Sequence, residues 1–593
     1  MSSSSNRCHS CRRSRLRCDG RQPTCLKCDS RGVECLGYGA QPFLWIQPRG
    51  SAVPTSAESN NERGTISPAV KRKGRPKMVL MQSSKDRCPV ESTSPSNCHL
   101  DWTDKRVHRR KERSSVELGS ALSSLLPAGY ADALRSLDVL VYYNTDVCPD
   151  MIALHSSRNP HYMDPEVWHV LPDIVLQFYT AVVATHRVVR SRPYYVLEAH
   201  TSAIDSGAAH DVDTSARRLY KFTHPLVKTI YKLQQQVIKG LGMIVDDEEL
   251  RFSDIALGIV AGLMLFEIQQ SAYGAWRVHL EAMRMIISQR GGFGKLVEEC
   301  SLSDYTYHLH MFMLIDIISC VTTPSSALCS RVTSQLDYIE YLPRIHRNGL
   351  DAGFPCPNTL LEAIVCINYA RYKVQYTPNE SWLVDQQIER LLERVISFSP
   401  ADWARSCIIE EAGISSFDSN KAAPDSLTAD PHWNDLQALA SAFQAAVLLY
   451  GLRTLVLDRD SLSCLGKRLP MDVHSIRSEA SDSLMVHLRQ LFSSDALQRK
   501  PALGKFLSWP FFIAGMECDY SDSQSMGDGR SFIAESLCRI SYMQGDMSWL
   551  DAVSFLQCIW KVNSGELIGE TFHGAEISWD ERVAMLGSHS LFK

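Results

Sequence analysis

Six cysteines, Cys8, Cys11, Cys18, Cys25, Cys28 and Cys35, fall within 28 positions in the spacing C-x2-C-x6-C-x6-C-x2-C-x6-C. No other feature of the 593-residue chain constrains folding so tightly, because a segment this short cannot bury an adequate apolar core and must be held through its sulfurs. A disulfide framework would need an oxidising compartment, and the opening "MSSSSNRCHSC" has no apolar stretch to serve as a signal-peptide core. Thiolates in C-x2-C pairs instead suit zinc, which takes tetrahedral sulfur ligands in closed structural sites. One zinc would leave two thiols over. Two zinc ions, at about four ligands each, ask for more places than six sulfurs fill singly, so two cysteines must bridge both metals. The block is two copies of C-x2-C-x6-C, so the bridging pair should be related by the repeat: Cys8 with Cys25, Cys11 with Cys28, or Cys18 with Cys35. His9 is not needed as a ligand and reads as a surface residue.

The formal charge of −4 hides an asymmetry: residues 1–113 hold 23 Lys+Arg against 10 Asp+Glu, and the remaining 480 positions hold 39 against 56. A basic head on an acidic body points to a polyanionic partner for the head. Six thiolates and two dications leave a metal core of about −2, while residues 1–40 supply eight Lys+Arg against three Asp+Glu. The arginines therefore offset the core and leave a surplus for phosphate. Between Cys11 and Cys18 the run Arg12, Arg13, Ser14, Arg15, Leu16, Arg17 has one apolar residue. A short helix there would turn Leu16 onto the cluster and fan the guanidinium groups outward.

These residues resemble the fungal Zn2Cys6 binuclear cluster transcription factors: the cysteine spacing, the basic run "RRSRLR" and the loop "DGRQP" with Pro23 all follow that pattern. The resemblance implies two zinc ions per chain with the first and fourth cysteines, Cys8 and Cys25, as the bridging pair. It also implies double-stranded DNA as partner, with the module's helix in the major groove. By position Arg15 matches the family's base-contacting lysine, usually read against a CGG triplet, and Arg12 matches a phosphate-contacting arginine. Arg13, Arg17, Lys27 and Arg31 complete the expected DNA-binding set, with Arg17, Lys27 and Arg31 read as phosphate clamps. "CLGYG" at Cys35 to Gly39 and a following "GRPK" resemble the branch containing the acriflavine-sensitivity control regulators.

Residues 46–114 are rich in Ser, Pro and polar positions and are expected to form a flexible basic linker between a cluster domain at 1–45 and a large domain at 115–593. Within the linker, "KRKGRPK" (Lys71, Arg72, Lys73, Arg75 and Lys77 supplying the charge) reads as a nuclear-import signal or a DNA arm, as does "KRVHRRKER" at 105–113. No sustained heptad pattern follows the cluster, so dimerisation through a coiled coil is not expected. The module would act as a monomer, or as a homodimer made through the large domain.

The large domain carries apolar helical periodicity at 216–241, 253–269, 274–292, 436–458 and 475–492. The expected fold class is a small binuclear cluster module with two short helices plus a large, mostly all-α regulatory domain. Trp276, His279, the Gly291-Gly292 stop and "LSWPFFIAGME" at 507–517 resemble a fungal transcription factor regulatory domain. The longest apolar run, 255–266, is 12 residues, short of the roughly 20 that span a bilayer, and reads as a core helix with no membrane partner. "GGFGK" at 291–295 lacks phosphate-loop spacing and reads as a helix C-cap. Asp246 to Glu249 reads as a solvated loop, and the cysteines outside the cluster as buried thiols. No G-x-S-x-G or H-E-x-x-H is present.

The function expected from all this is nuclear, sequence-specific control of RNA polymerase II genes in a fungus, without catalysis. The large domain would engage the transcription machinery, co-regulators or a small-molecule effector. Two other classes compete: an interaction adaptor whose zinc module is only structural, and, less supported, an enzyme in the helical domain.

Overall fold

The computed structural model describes residues 8, 11, 16–21, 24–31 and 35 near the N-terminus, and 137–154, 159, 161–191, 226–299, 306–329, 331–350, 352–376, 381–411, 432–457, 472–493, 496–497, 501–518, 526–563 and 578–584 beyond. The chain divides into two compact units, Met1–Pro127 and Ala128–Lys593. In the first, the described regular element is a single turn, α1 (Leu26–Asp29). "KRKGRPK", "KRVHRRKER" and the expected linker lie outside the described residues.

The second unit is all helix among the described residues. Its main elements are α2 (Asp173–Arg190), α3 (Leu226–Asp246), α4 (Asp254–Gln270), α5 (Trp276–Gln289), α6 (Thr306–Ser319), α7 (Asn358–Tyr376), α8 (Trp433–Leu452), α9 (Val473–Leu491), α10 (Ser508–Glu517), α11 (Met526–Gln544), α12 (Ser548–Asn563) and α13 (Trp579–Ala584). Helices apolar on one face only, such as α3 and α9, lie toward the outside, whereas α4, α6, α8 and α10 are apolar nearly all round and fill the interior. α8 is the axis of one half, packing on α7, α9 and α10. α4 is the axis of the other, packing on α2, α3, α5 and α6, and α12 touches both α4 and α10. The stacked pair Phe443 and Trp509, with centroids 6.2 Å apart, joins α8 to α10. The apolar run 255–266 lies within buried α4.

Helix starts follow local chemistry. The Ser253 hydroxyl accepts the Ala256 amide at 3.2 Å to open α4, and Asp472 accepts from Ser475 at 3.3 Å to open α9. α5 ends at Gly291 (φ 102°) and Gly292 (φ 98°), whose amide donates back to the Ile287 carbonyl at 2.9 Å. Gly291 and Gly292 of "GGFGK" thus form a helix C-cap, and Phe293 to Lys295 open the next helix, Phe293–Glu299. Trp276 is buried and its indole donates to the Ala272 carbonyl at 3.0 Å, while His279 is half-buried and burial lowers its pKa to about 4. Among the described cysteines of this unit, Cys148, Cys356, Cys407 and Cys538 are buried, as expected, but Cys329 is exposed on a turn before Arg331.

Buried polar groups tie distant helices together. The Arg371 guanidinium, fully buried, donates to the Cys320 and Thr323 carbonyls (2.9 and 2.7 Å), the Tyr450 hydroxyl (2.8 Å) and Asp580 (2.9 Å). Tyr450 in turn donates to Asn368 at 2.7 Å. One cation therefore gathers α7, α8, α13 and the turn after α6. Beside it, the Trp579 indole donates to the Val321 carbonyl at 3.0 Å and Arg582 to the Met516 carbonyl at 3.1 Å, so α13 is docked at three points.

His346 Nε2 lies 2.7 Å from the Cys356 carbonyl, which can only accept, so this nitrogen carries the proton and Nδ1 is left to accept from His310 Nε2 at 2.9 Å. Burial holds His346 at about 4 and His310 well below the ordinary 6.5. Both are lowered, so the unfolded chain binds more protons between these limits. The stability they supply is complete above pH 6.5 and is lost as pH falls toward 4. Thermal unfolding of the full chain is expected to shift to lower temperature as pH falls from 6.5 to 5, where each neutral buried histidine loses roughly 1.4 kcal/mol of stabilisation per pH unit. A midpoint unchanged over that range would contradict the neutral buried pair.

Candidate metal centre and nucleic-acid interface

The two halves of the cysteine block use the same local device. The Cys11 amide donates to the Cys8 sulfur at 3.3 Å, and the Cys28 amide donates to the Cys25 sulfur at 3.3 Å, so each C-x2-C wraps its first sulfur with the backbone of its second. Cys25 thereby caps α1, while the Ser30 amide closes the turn on the Leu26 carbonyl at 2.9 Å. In the first half, the Leu16 amide reaches the Cys11 carbonyl at 2.8 Å, and the Leu16 side chain packs against the sulfurs. Between the halves, Gly20 turns the chain with φ 75°, a conformation that favours glycine. Pro23 of the same loop lies outside the described residues.

Cys8, Cys11, Cys25 and Cys28 are buried, and Cys18 and Cys35 half-buried. The Cys8 sulfur lies 3.6 Å from both Cys25 and Cys28, and Cys11 lies 3.6 Å from Cys25. These are not disulfides, which need about 2.05 Å. Four sulfurs held about 2.3 Å from one zinc would stand about 3.8 Å apart in a tetrahedron, so the spacing fits the metal. The sulfurs form two groups of four, Cys8, Cys25, Cys28, Cys35 and Cys8, Cys11, Cys18, Cys25, each with all its ligand atoms within 4.8 Å of one another. The two groups share Cys8 and Cys25. Among the described residues no other cluster of potential ligands was found.

The thiols alone are ill suited to carry charge. Burial pushes the Cys8 thiol far above its ordinary range, and the same burial drives Cys11 up to about 12 and raises Cys28. A dication supplies what makes thiolates stable there, so the donor set fits zinc. Around the sulfurs, Arg17, Lys27 and Arg31 are exposed, and so is Arg21, a cation that sequence reasoning did not single out. Its position on the solvated loop between the halves was the available signal. Arg12, Arg13, Arg15 and the cations Lys71, Arg72, Lys73, Arg75 and Lys77 lie outside the described residues.

Two sulfur tetrads with cations on their surface, on a chain whose second unit is a large helical domain, are the arrangement of a metal-built module that faces a polyanion. The fungal Zn(2)-Cys(6) binuclear cluster domain matches residues 7–42, and the fungal specific transcription factor domain matches residues 138–592. The chain belongs to the fungal zinc-cluster transcription factors, a DNA-binding family that is generally nuclear, and its cluster domain binds two zinc ions. It is 24% identical over 339 residues to the phomenoic acid biosynthesis cluster-specific transcriptional regulator of Leptosphaeria maculans, a match covering 56% of this chain and 57% of that protein. The chain thus spans little more than half the length of this relative. No solved structure matches it.

Stripping zinc from the full chain with a chelator is expected to abolish DNA binding and to expose all six cluster thiols to a thiol reagent, with recovery on adding zinc back under reducing conditions. Cluster thiols that stay protected after the metal is removed would contradict a zinc-built module.

Proposed function

We propose that the chain is a sequence-specific regulator of RNA polymerase II genes whose zinc cluster reads a CGG-like element in the major groove. The observation that carries this reading is the pair of sulfur tetrads meeting at Cys8 and Cys25 beneath exposed Arg17, Lys27 and Arg31. In it, Cys8 and Cys25 bridge the two zinc ions, and Cys11, Cys18, Cys28 and Cys35 each hold one. Arg15 reads guanine O6 and N7 with two parallel hydrogen bonds. Arg12, Arg13, Arg17, Lys27 and Arg31 grip phosphates and fix the register.

The cluster domain spans 1–45, a linker spans 46–114, and Lys71, Arg72, Lys73, Arg75 and Lys77 serve import into the nucleus or hold DNA nonspecifically. The helical domain, 115–593, has a regulatory and not a catalytic role, engaging co-regulators, the transcription machinery or a small-molecule effector, and it joins two copies of the chain. The relative's name, a cluster-specific transcriptional regulator, supports a regulator acting on a bounded set of genes.

Selection of bound sites from random DNA with the full chain tests this. Recovered CGG-like triplets and affinity falling by about 0.9 log units per log unit of salt for each neutralised phosphate are expected. Arg15→Ala should lower affinity for the selected site by roughly tenfold or more while leaving nonspecific binding nearly intact; equal loss on every sequence would remove Arg15 from the reader's role. Cys8→Ser should release both zinc ions, whereas Cys35→Ser should weaken only one. Metal analysis that finds two tightly held zinc ions in Cys8→Ser would exclude the bridge.

A further inference from the structure

Where α2, α4 and α6 meet, aromatic side chains gather around Tyr179 and Tyr307. Tyr179 of α2 meets Tyr143 edge-on at 5.0 Å between ring centroids and Trp168 at 6.0 Å, and His161 meets Tyr307 of α6 at 4.1 Å. Phe178 lies 6.4 Å from Phe266 of α4 and is admitted by Gly262, where a Cβ would stand 2.9 Å from its ring. Burial pushes the phenols of both Tyr179 and Tyr307 above their ordinary range, as it does for groups deep inside a protein, and Tyr179 raises its neighbour Tyr307 further. Yet both rings, with His161 and Phe178, are only half-buried. A side chain that has lost its solvation and still carries accessible surface faces an enclosed cavity, not bulk water.

The chemistry of the lining chooses the occupant. The titratable groups that act on Tyr179, Tyr307 and His161 are Tyr143, Cys148, His308 and one another, with no Lys, Arg, Asp or Glu among them. Burial holds His161 at about 4, so its ring is neutral at pH 7. An ion entering here would find no counter-charge, whereas a neutral molecule is not opposed. Polar atoms are nonetheless left over. Among the described residues the Tyr307 hydroxyl makes no hydrogen bond, and the Trp168 indole N–H and His161 Nε2, both sealed from solvent, have no partner either. Buried polar groups are ordinarily paired, so three unpaired ones in a single aromatic cluster mark a place whose partner comes from elsewhere. Water is a poor occupant, because a buried water makes about three hydrogen bonds and aromatic faces supply most of this lining. A flat apolar body with one acceptor fits it better.

We propose that this cavity binds an uncharged, largely apolar small molecule carrying a ring system and a carbonyl group, the carbonyl accepting from the Tyr307 hydroxyl and the rings lying against Tyr179 and Phe178. This rests on the reading that the helical domain takes a small-molecule effector, and it names the site and the chemical class.

Fluorescence titration of the zinc-loaded full chain with prodan, an uncharged naphthyl ketone whose emission shifts to the blue in apolar surroundings, tests it. Saturable, blue-shifted binding of one prodan per chain is expected, and 2-naphthoate, the same ring system with a carboxylate, should not compete. Tyr307→Phe removes the hydroxyl alone and should weaken prodan binding by roughly fivefold or more. The melting temperature of the ligand-free variant should stay the same or rise, because an unpaired hydroxyl adds nothing to the fold; a hydroxyl with a structural role would lower it. Tyr341→Phe, at a tyrosine outside this cluster, should leave binding unchanged. A chain that binds no prodan saturably, or that takes 2-naphthoate equally well, would overturn the assignment. Prodan binding unmoved by Tyr307→Phe would overturn this cavity and leave an effector site elsewhere standing. Binding as expected, with affinity for the selected DNA site unchanged by prodan and by Tyr307→Phe, would uphold the cavity and remove the effector reading.

Discussion

A charge taken out of water must meet its counter-charge, and each unit of this chain is organised around one such requirement. In the cluster module the buried groups are sulfurs that burial keeps protonated until a dication arrives. With zinc absent, four buried thiols and two half-buried ones offer little to hold thirty-odd residues together. With it, metal binding and folding are the same event. The excess of arginine near the sulfurs follows from the same balance, since the metal-thiolate core is itself negative.

In the helical domain the corresponding group is Arg371. Its guanidinium is wholly buried, and its two terminal nitrogens donate to two carbonyls, a tyrosine hydroxyl and the Asp580 carboxylate. A guanidinium has five donors in a rigid fork, so it holds several chain segments in one relative position where a methylene contact would let them slide. The segment gained this way is α13, 209 residues away in sequence from the arginine that receives it. Apolar burial supplies the bulk of the stability, and the arginine decides which elements are neighbours.

Much of this was legible in the residues. Helical periodicity at 253–269 and 475–492 lies within a few residues of α4 and α9, because the caps at Ser253 and Asp472 and the apolar repeat are local signals. The fate of "GGFGK" was equally local, since two glycines with positive φ end a helix whatever surrounds them. Cys329 was not legible: a thiol's exposure depends on what packs over it, and nothing in the flanking residues says that nothing does. The pairing of His310 with His346 and of Arg371 with Asp580 likewise has no signature in spacing, because the partners are brought together only by helix packing.

The cysteine block divides the same way. By itself the sequence favours two metals shared among six sulfurs, because one zinc would leave two thiols over and three would demand too much sharing. It also determined that two of the sulfurs must be shared, and left three symmetric choices. The family resemblance picks Cys8 with Cys25, and the fold supplies a physical reason for that choice: the backbone amides of Cys11 and Cys28 donate to the sulfurs of Cys8 and Cys25, the two that belong to both tetrads. That choice depends on angles about the backbone, which spacing along a chain does not record.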